Sequence, residues 1–272
     1  MRLRVAGAVV AVSLASAGAP ALAQAPAAQD KSALTADDID ACFRANFPKD
    51  SAIQQISLAS KDRIGAITTS KATLWWKQLG DDKSGVLIRF ESPDELRDAG
   101  VLMIEKDDRN DMFMYLPELR KVKRITQHMA EASMFGTDFS YEEFERLQGI
   151  AEKSPTERAP DEAVAGRPAY VVIAKPTPEQ ESGYERIKAW IDQETCVALK
   201  AEFYERGDSP RKVMTADPAT LTQAGSVWYA GEVTQRDARD GTETVLRIEK
   251  SEVGVDVPQK LFSVRSLESS GR

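Results

Sequence analysis

Gly85-Val-Leu-Ile-Arg-Phe-Glu91, Gly100-Val-Leu-Met-Ile-Glu105 and Asp111-Met-Phe-Met-Tyr-Leu116 are three short runs of apolar, β-branched and aromatic side chains. Ser92-Pro93-Asp94 and Asp107-Asp108-Arg109-Asn110 separate them, and both are turn sequences. Short runs at this spacing predict an antiparallel meander in which neighbours in sequence pair in space. Upstream, Ile53–Ala59 and Ile64–Leu79 extend the pattern. Downstream it resumes in Ala169–Lys175, Tyr184–Asp192, Val197–Glu205, Arg211–Ala216, Ser226–Asp237 and Thr242–Ser251. The fold class is therefore mainly β. About eleven strands are too many for a flat open sheet, so the sheet is expected to curl.

Helices are few. Thr35-Ala36-Asp37-Asp38 is an N-cap with acids in the first turn, followed by Ile39, Cys42, Phe43 and Phe47 at helical spacing until Pro48. Ser140-Tyr141-Glu142-Glu143 is a capping box, with Phe144, Leu147 and Ile150 behind it, so residues 141–151 predict a second helix. Residues 152–168, with Pro155, Pro160, Gly166 and Pro168, read as a connecting loop.

The first residues carry a different message. Arg2 and Arg4 precede an uncharged stretch from Val5 to Ala21, and Ala21-Leu22-Ala23 forms a small-x-small end. A positive start, a short apolar core and such an end predict a secretory signal peptide over 1–23, cleaved after Ala23. The core is too short and too rich in Ala and Gly for a spanning helix, so no stable membrane insertion is expected. Residues 24–33 read as a flexible leader and 34–272 as one domain. Outside the cytoplasm the protein would be periplasmic.

Lys and Arg number 36 against 43 Asp and Glu, a net charge of -7 that becomes -9 without Arg2 and Arg4. An acidic chain with interspersed signs has no reason to bind nucleic acid, and none is expected as a partner. The chain has one histidine, His128, beside Lys123 and Arg124, and neither a Gly-x-Ser-x-Gly elbow nor a P-loop. Metal sites and acid–base triads need several such groups in concert, so no metal, no cofactor and no catalytic residue is expected, and the chain reads as no enzyme. Cys42 and Cys196 are an even pair in an oxidising compartment, which allows a disulfide; two buried free thiols are the alternative.

One segment carries a family resemblance. Tyr115-Leu116-Pro117 ends an aromatic run, continues through Arg120, Val122, Arg124 and Ile125, and is followed by Phe135-Gly136-Thr137-Asp138-Phe139-Ser140-Tyr141-Glu142. This resembles the signature of LolA-like outer-membrane lipoprotein-sorting proteins, in the larger branch associated with RND-type transporters. Glu143 stands where Asp is commoner in that pattern. The resemblance implies a strongly curved half-barrel whose concave face is covered by helices, with an apolar cavity for acyl chains between them. It implies a carrier of lipid or lipoprotein acyl chains towards the outer membrane, with an RND-type inner-membrane transporter as a possible partner. The alternative is a non-carrier accessory or sensor module of such an exporter.

Trp75, Trp76, Leu87, Met103, Met112 and Met114 fall on consecutive expected strands and are the candidate cavity lining. Methionine is flexible and polarizable, which suits a surface for variable chains. Tyr115, Pro117, Arg120, Arg124, Phe135, Gly136, Asp138, Phe139 and Tyr141 are the candidate motif and partner surface. The cations Arg120, Lys121, Lys123 and Arg124 repel one another, which points to binding.

Overall fold

The structure is a computed structural model that describes residues 33–80, 83–107 and 109–269. The expected signal peptide, and the leader up to Ser32, fall outside the described residues. The chain divides between Ala33 and Leu34, and the whole sheet belongs to the second unit.

Six strands lead from the centre of the sheet to one edge: β1 (Ser51–Lys61), β2 (Ile67–Gly80), β3 (Lys83–Ser92), β4 (Gly100–Ile104), β5 (Asp111–Leu116) and β6 (Lys121–Arg124). The chain then crosses to the opposite edge and returns through β7 (Thr156–Val164), β8 (Arg167–Ala174), β9 (Arg186–Asp192), β10 (Ala198–Tyr204) and β11 (Lys212–Ala216). A separate hairpin, β12 (Leu221–Ala224) with β13 (Val227–Ala230), follows. Then β14 (Glu232–Asp237) and β15 (Thr242–Val253) close the path, β15 pairing with β1. The result is one antiparallel sheet of thirteen strands, mainly β, with β6 and β7 as free edges and no closure into a barrel.

The expected eleven strands become thirteen in the sheet because two edge strands carry no hydrophobic period. β6 is Lys-Val-Lys-Arg, a charged edge. β7 lies in the expected 152–168 loop; its side chains are mostly exposed and its ladder breaks between Ala159 and Glu162, beside Pro160. The expected strand Ser226–Asp237 splits at Gly231 into β13 and β14, which belong to different sheets.

The helices are short. α1 (Ala36–Ala45) has a capping box in which Thr35 Oγ1 accepts from the Asp38 N–H and Asp38 accepts from the Thr35 N–H. α2 (Gln127–Ala130), α3 (Tyr141–Leu147) and α4 (Val264–Glu268) are shorter still, α3 stopping before the expected Ala151. Residues 125–155 must cross one face of the sheet, because β6 and β7 are its two edges. Ile125, Met134, Phe139, Tyr141 and Phe144 of this crossing share a core with Ile56, Leu74, Trp76, Phe90 and Phe203 of the sheet. The other face, with Leu87, Leu102 and Tyr115, is covered by Val257, Phe262 and Leu267 near the end of the chain. Arg89 fastens that cover by donating to the carbonyls of Ser266 (2.9 Å) and Leu267 (3.3 Å).

Candidate apolar binding site

A cavity of about 300 Å³ lies between the sheet and the elements that cover it. Its floor comes from alternate residues of β1, β2, β8, β9, β10, β11, β14 and β15, among them Ile56, Leu74, Trp76, Ile187, Phe203, Met214 and Leu246. The period-2 geometry of a strand brings such residues to one face. The cover is α1 through Ile39 and Phe43, α3 through Phe144 and Leu147, the segment 148–154, and Trp228 of β13. Aliphatic and aromatic groups dominate the walls, so the cavity suits an apolar ligand.

Polar side chains hold the cover in place. Cys42 of α1 is disulfide-bonded to Cys196, with 5.7 Å between their Cα atoms. Lys153 Nζ reaches Asp37 (2.9 Å) and Asp40 (3.6 Å) on α1. Arg44 donates to the carbonyl of Gly149 (3.3 Å), and Asn46 donates to that of Thr195 (3.0 Å) while accepting from the Trp228 N–H (2.6 Å).

The crossing segment is clamped to the sheet by its acids. Asp138 accepts from the hydroxyls of Thr242 and of Thr244 (2.7 Å) on β15. The buried Glu143 accepts from the Ser140 N–H (2.7 Å), from Lys212 Nζ (3.0 Å) on β11 and from the Tyr184 hydroxyl. Burial first, and then the Glu143 carboxylate, push the Tyr184 hydroxyl far above its usual range, so it stays protonated and donates. Lys212 also donates to the Asp138 carbonyl (2.7 Å). Glu142 accepts from Arg146 (2.9 Å), the Gly183 N–H (3.1 Å) and the Ser182 hydroxyl. These carboxylates are saturated with donors and act as anchors, a role that the stretch of sequence alone does not disclose.

The expected lining residues divide. Trp76 lines the cavity. Met103, Met112 and Met114 are buried in the core of that same face but do not line the cavity. Trp75 and Leu87 pair across β2 and β3 and belong to the opposite face, under the C-terminal segment; neighbours in a strand point opposite ways, so Trp75 and Trp76 cannot share a site. Lining residues from the second half of the chain, such as Ile187, Phe203, Met214 and Leu246, escaped the sequence reading. Their alternation was visible, but nothing in it says which face encloses a cavity.

The expected motif surface also divides. Phe139 and Tyr141 are buried in the core and Tyr115 is buried on the other face, so none of them offers a surface to a partner. Phe135 adopts a left-handed conformation ahead of Gly136 and lays its ring 4.8 Å from that of Phe90. Asp138 is the clamp described above. Pro117 starts the turn into β6, Arg120 is exposed with a positive φ, and Arg124 is exposed and paired with Asp111 at 2.5 Å.

The architecture has known counterparts. A DUF1329 family protein from Desulfovibrio piger matches with a TM-score of 0.79 and 20% identity, over 85% of this chain and 96% of that one. A domain named for outer-membrane lipoprotein sorting, from Vibrio parahaemolyticus, matches with a TM-score of 0.77 and 22% identity, over 85% and 97%. A LolA superfamily protein from Nitrosomonas europaea matches with a TM-score of 0.65 and 17% identity, over 86% and 100%. A family model described as an uncharacterized protein matches residues 81–269, most of the chain. The chain belongs to the family of that model, and its fold is LolA-like. No curated protein matches it. The LolA-like chain has no helix, among the described residues, that is long and apolar enough to cross a membrane.

Proposed function

We propose that the protein is a periplasmic carrier that takes lipid, or the acyl chains of lipoproteins, into its apolar cavity for transfer towards the outer membrane. The cavity is the observation that carries this reading. Eight strands adjacent in the sheet, from β2 to β8, contribute to its walls. Laid flat, eight strands would span about 34 Å at the usual spacing. A cavity of about 300 Å³ reached by all of them favours the strongly curled, half-barrel form of the sheet. The signal-peptide pattern of residues 1–23 supports export, and 34–272 then works as a single carrier domain behind a short leader. Shielding an acyl chain from water is worth about 0.8 kcal/mol per methylene, and it needs no catalytic group.

A second reading is an accessory or sensor module of an RND-type exporter. One observation favours it: Arg120, Lys121, Lys123 and Arg124 are all exposed on or beside the free edge β6. Such an edge can take up an acidic strand of a partner.

Solvent extraction and mass spectrometry of the exported protein, with titration of a fluorescent fatty acid into delipidated protein, decide between the two. The carrier reading expects co-purified lipid and saturable binding that Trp76→Asp abolishes while circular dichroism is unchanged. Absence of both lipid and probe binding leaves the accessory reading.

A further inference from the structure

The β1–β2 hairpin ends in Lys61-Asp62-Arg63-Ile64-Gly65-Ala66-Ile67. Ile64 is 90% exposed and Ile67 66%, the two most exposed large apolar side chains among the described residues. The tip is rigidly built. The Asp62 carboxylate accepts from the N–H groups of Ile64 (3.0 Å) and Ala66 (2.8 Å). The Asp62 N–H donates to the Ala66 carbonyl (3.0 Å), the Gly65 N–H to the Asp62 carbonyl (3.0 Å), and Gly65 takes a φ of 87° that glycine adopts freely. Ile64 is thereby held outward in one geometry.

The tip is also open on its β2 side. β3 ends at Ser92, opposite Lys71, so Ile67–Ser70 have no strand of the described residues on that side. Cations flank the two isoleucines: Lys61 is opposite Ile67, Arg63 precedes Ile64, and Lys71 stands four residues along β2; all three are exposed, and Arg63 and Lys71 make no ion pair among the described residues. The nearby acids are engaged. Asp62 is spent inside the turn, and Glu243 is shared by Lys61 (3.6 Å) and Arg236 (2.8 Å).

We propose that this hairpin tip docks the protein on a lipid bilayer, inserting Ile64 and Ile67 among the headgroups while Arg63 and Lys71 meet anionic phosphates. A specific protein interface buries about 800 Å² on each side, far more than two side chains on one turn can supply. A bilayer requires no matching surface. An apolar wedge flanked by cations gains from both apolar insertion and attraction to anionic lipid. The cavity floor uses the other end of β1 and β2, at Ala52, Ile56, Leu74 and Trp76. Docking and cargo binding are therefore separate properties, and the docking role stands whether or not the cavity holds lipid.

The test is flotation of the exported, processed protein with vesicles of phosphatidylethanolamine and phosphatidylglycerol. The parent is expected to float with the vesicles. The double substitution Ile64→Ser with Ile67→Ser should weaken partitioning by about tenfold or more, with circular dichroism and uptake of the fatty-acid probe unchanged. Arg63→Gln with Lys71→Gln should weaken it mainly at low salt. Fluorescence of an Ile64→Trp variant should shift to the blue when these vesicles are added. A parent that does not float, a double serine variant that floats like the parent, or an Ile64→Trp emission unmoved by vesicles would overturn the proposal. Loss of fatty-acid uptake in the parent would count against the carrier reading alone.

Discussion

Asp192 shows how one residue supports a site that it does not touch. It ends β9, is buried, and accepts from Arg167 Nε (2.6 Å) and Nη2 (3.0 Å), from the N–H groups of Glu194 (3.0 Å) and Thr195 (2.8 Å), and from the Thr195 hydroxyl (3.0 Å). These bonds shape the turn that presents Cys196 to α1. Burial pushes the carboxyl up, but the Arg167 fork and the Thr195 and Glu194 donors outweigh it, and the carboxyl falls to about 2 from an ordinary 3.8. The folded state thus binds this proton less tightly than the unfolded one. The resulting stability is fully present above the unfolded value and is lost as pH falls through about 2. Asp192→Asn should lower stability at pH 7 by about 2 kcal/mol and flatten the acid limb of a stability–pH profile between about pH 4 and pH 2. Denaturant titrations of both proteins across that range check it; parallel profiles would refute it. The sequence placed Asp192 at the end of the expected strand Tyr184–Asp192, and nothing more.

Among the elements, α1 is the one whose hold on the cavity can be measured. A ten-residue helix is marginal in water, so packing of Ile39 and Phe43 on Tyr170 and Ile191, together with Cys42–Cys196, must keep it in place. The disulfide links residues 154 apart in sequence. Closing so long a loop stabilises by about 4–5 kcal/mol on the chain-entropy argument, and measured gains are commonly about 2–4 kcal/mol. Cys42→Ser with Cys196→Ser should therefore lower the melting temperature and loosen α1, raising amide exchange in Ala36–Ala45 well before the strands. Equal exchange in both proteins would show that packing alone suffices. α1 and α3 were legible because caps and 3.6-residue spacing are local signals. β6 and β7 were not, since an edge strand that packs only Val122, or only Ala159 and Val164, leaves no period to read.

At the scale of the whole molecule, the strand order sets what a truncation does. β15 lies between β1 and β14, so it is the only strand of the described residues that joins the two halves of the sheet. A chain ending before Thr242 should lose cooperative unfolding altogether. A chain ending after Gly254 keeps every strand but uncovers Leu87, Leu102 and Tyr115. It should retain a strand spectrum by circular dichroism, bind an apolar dye and aggregate, because such an exposed apolar face is an association site. A cooperative, native-like transition in the shorter chain would refute this account of the topology.

What the sequence determined by itself was whatever is encoded locally. Alternation and turn residues made most of the strands legible, an N-cap and a capping box made both principal helices legible, and the Tyr115–Glu142 motif pointed to the LolA-like fold. What only the tertiary structure decided was which of two alternating faces encloses space. The pleat gives β2 an apolar side chain on each face, and Trp75 and Trp76 are indistinguishable until the crossing segment covers one side and the C-terminal segment the other. The same holds for the acids of the motif. Asp138 and Glu143 became clamps because Thr242, Thr244 and Lys212, all distant in sequence, meet them in the fold. Contacts across such distances depend on strand order, which no local pattern carries.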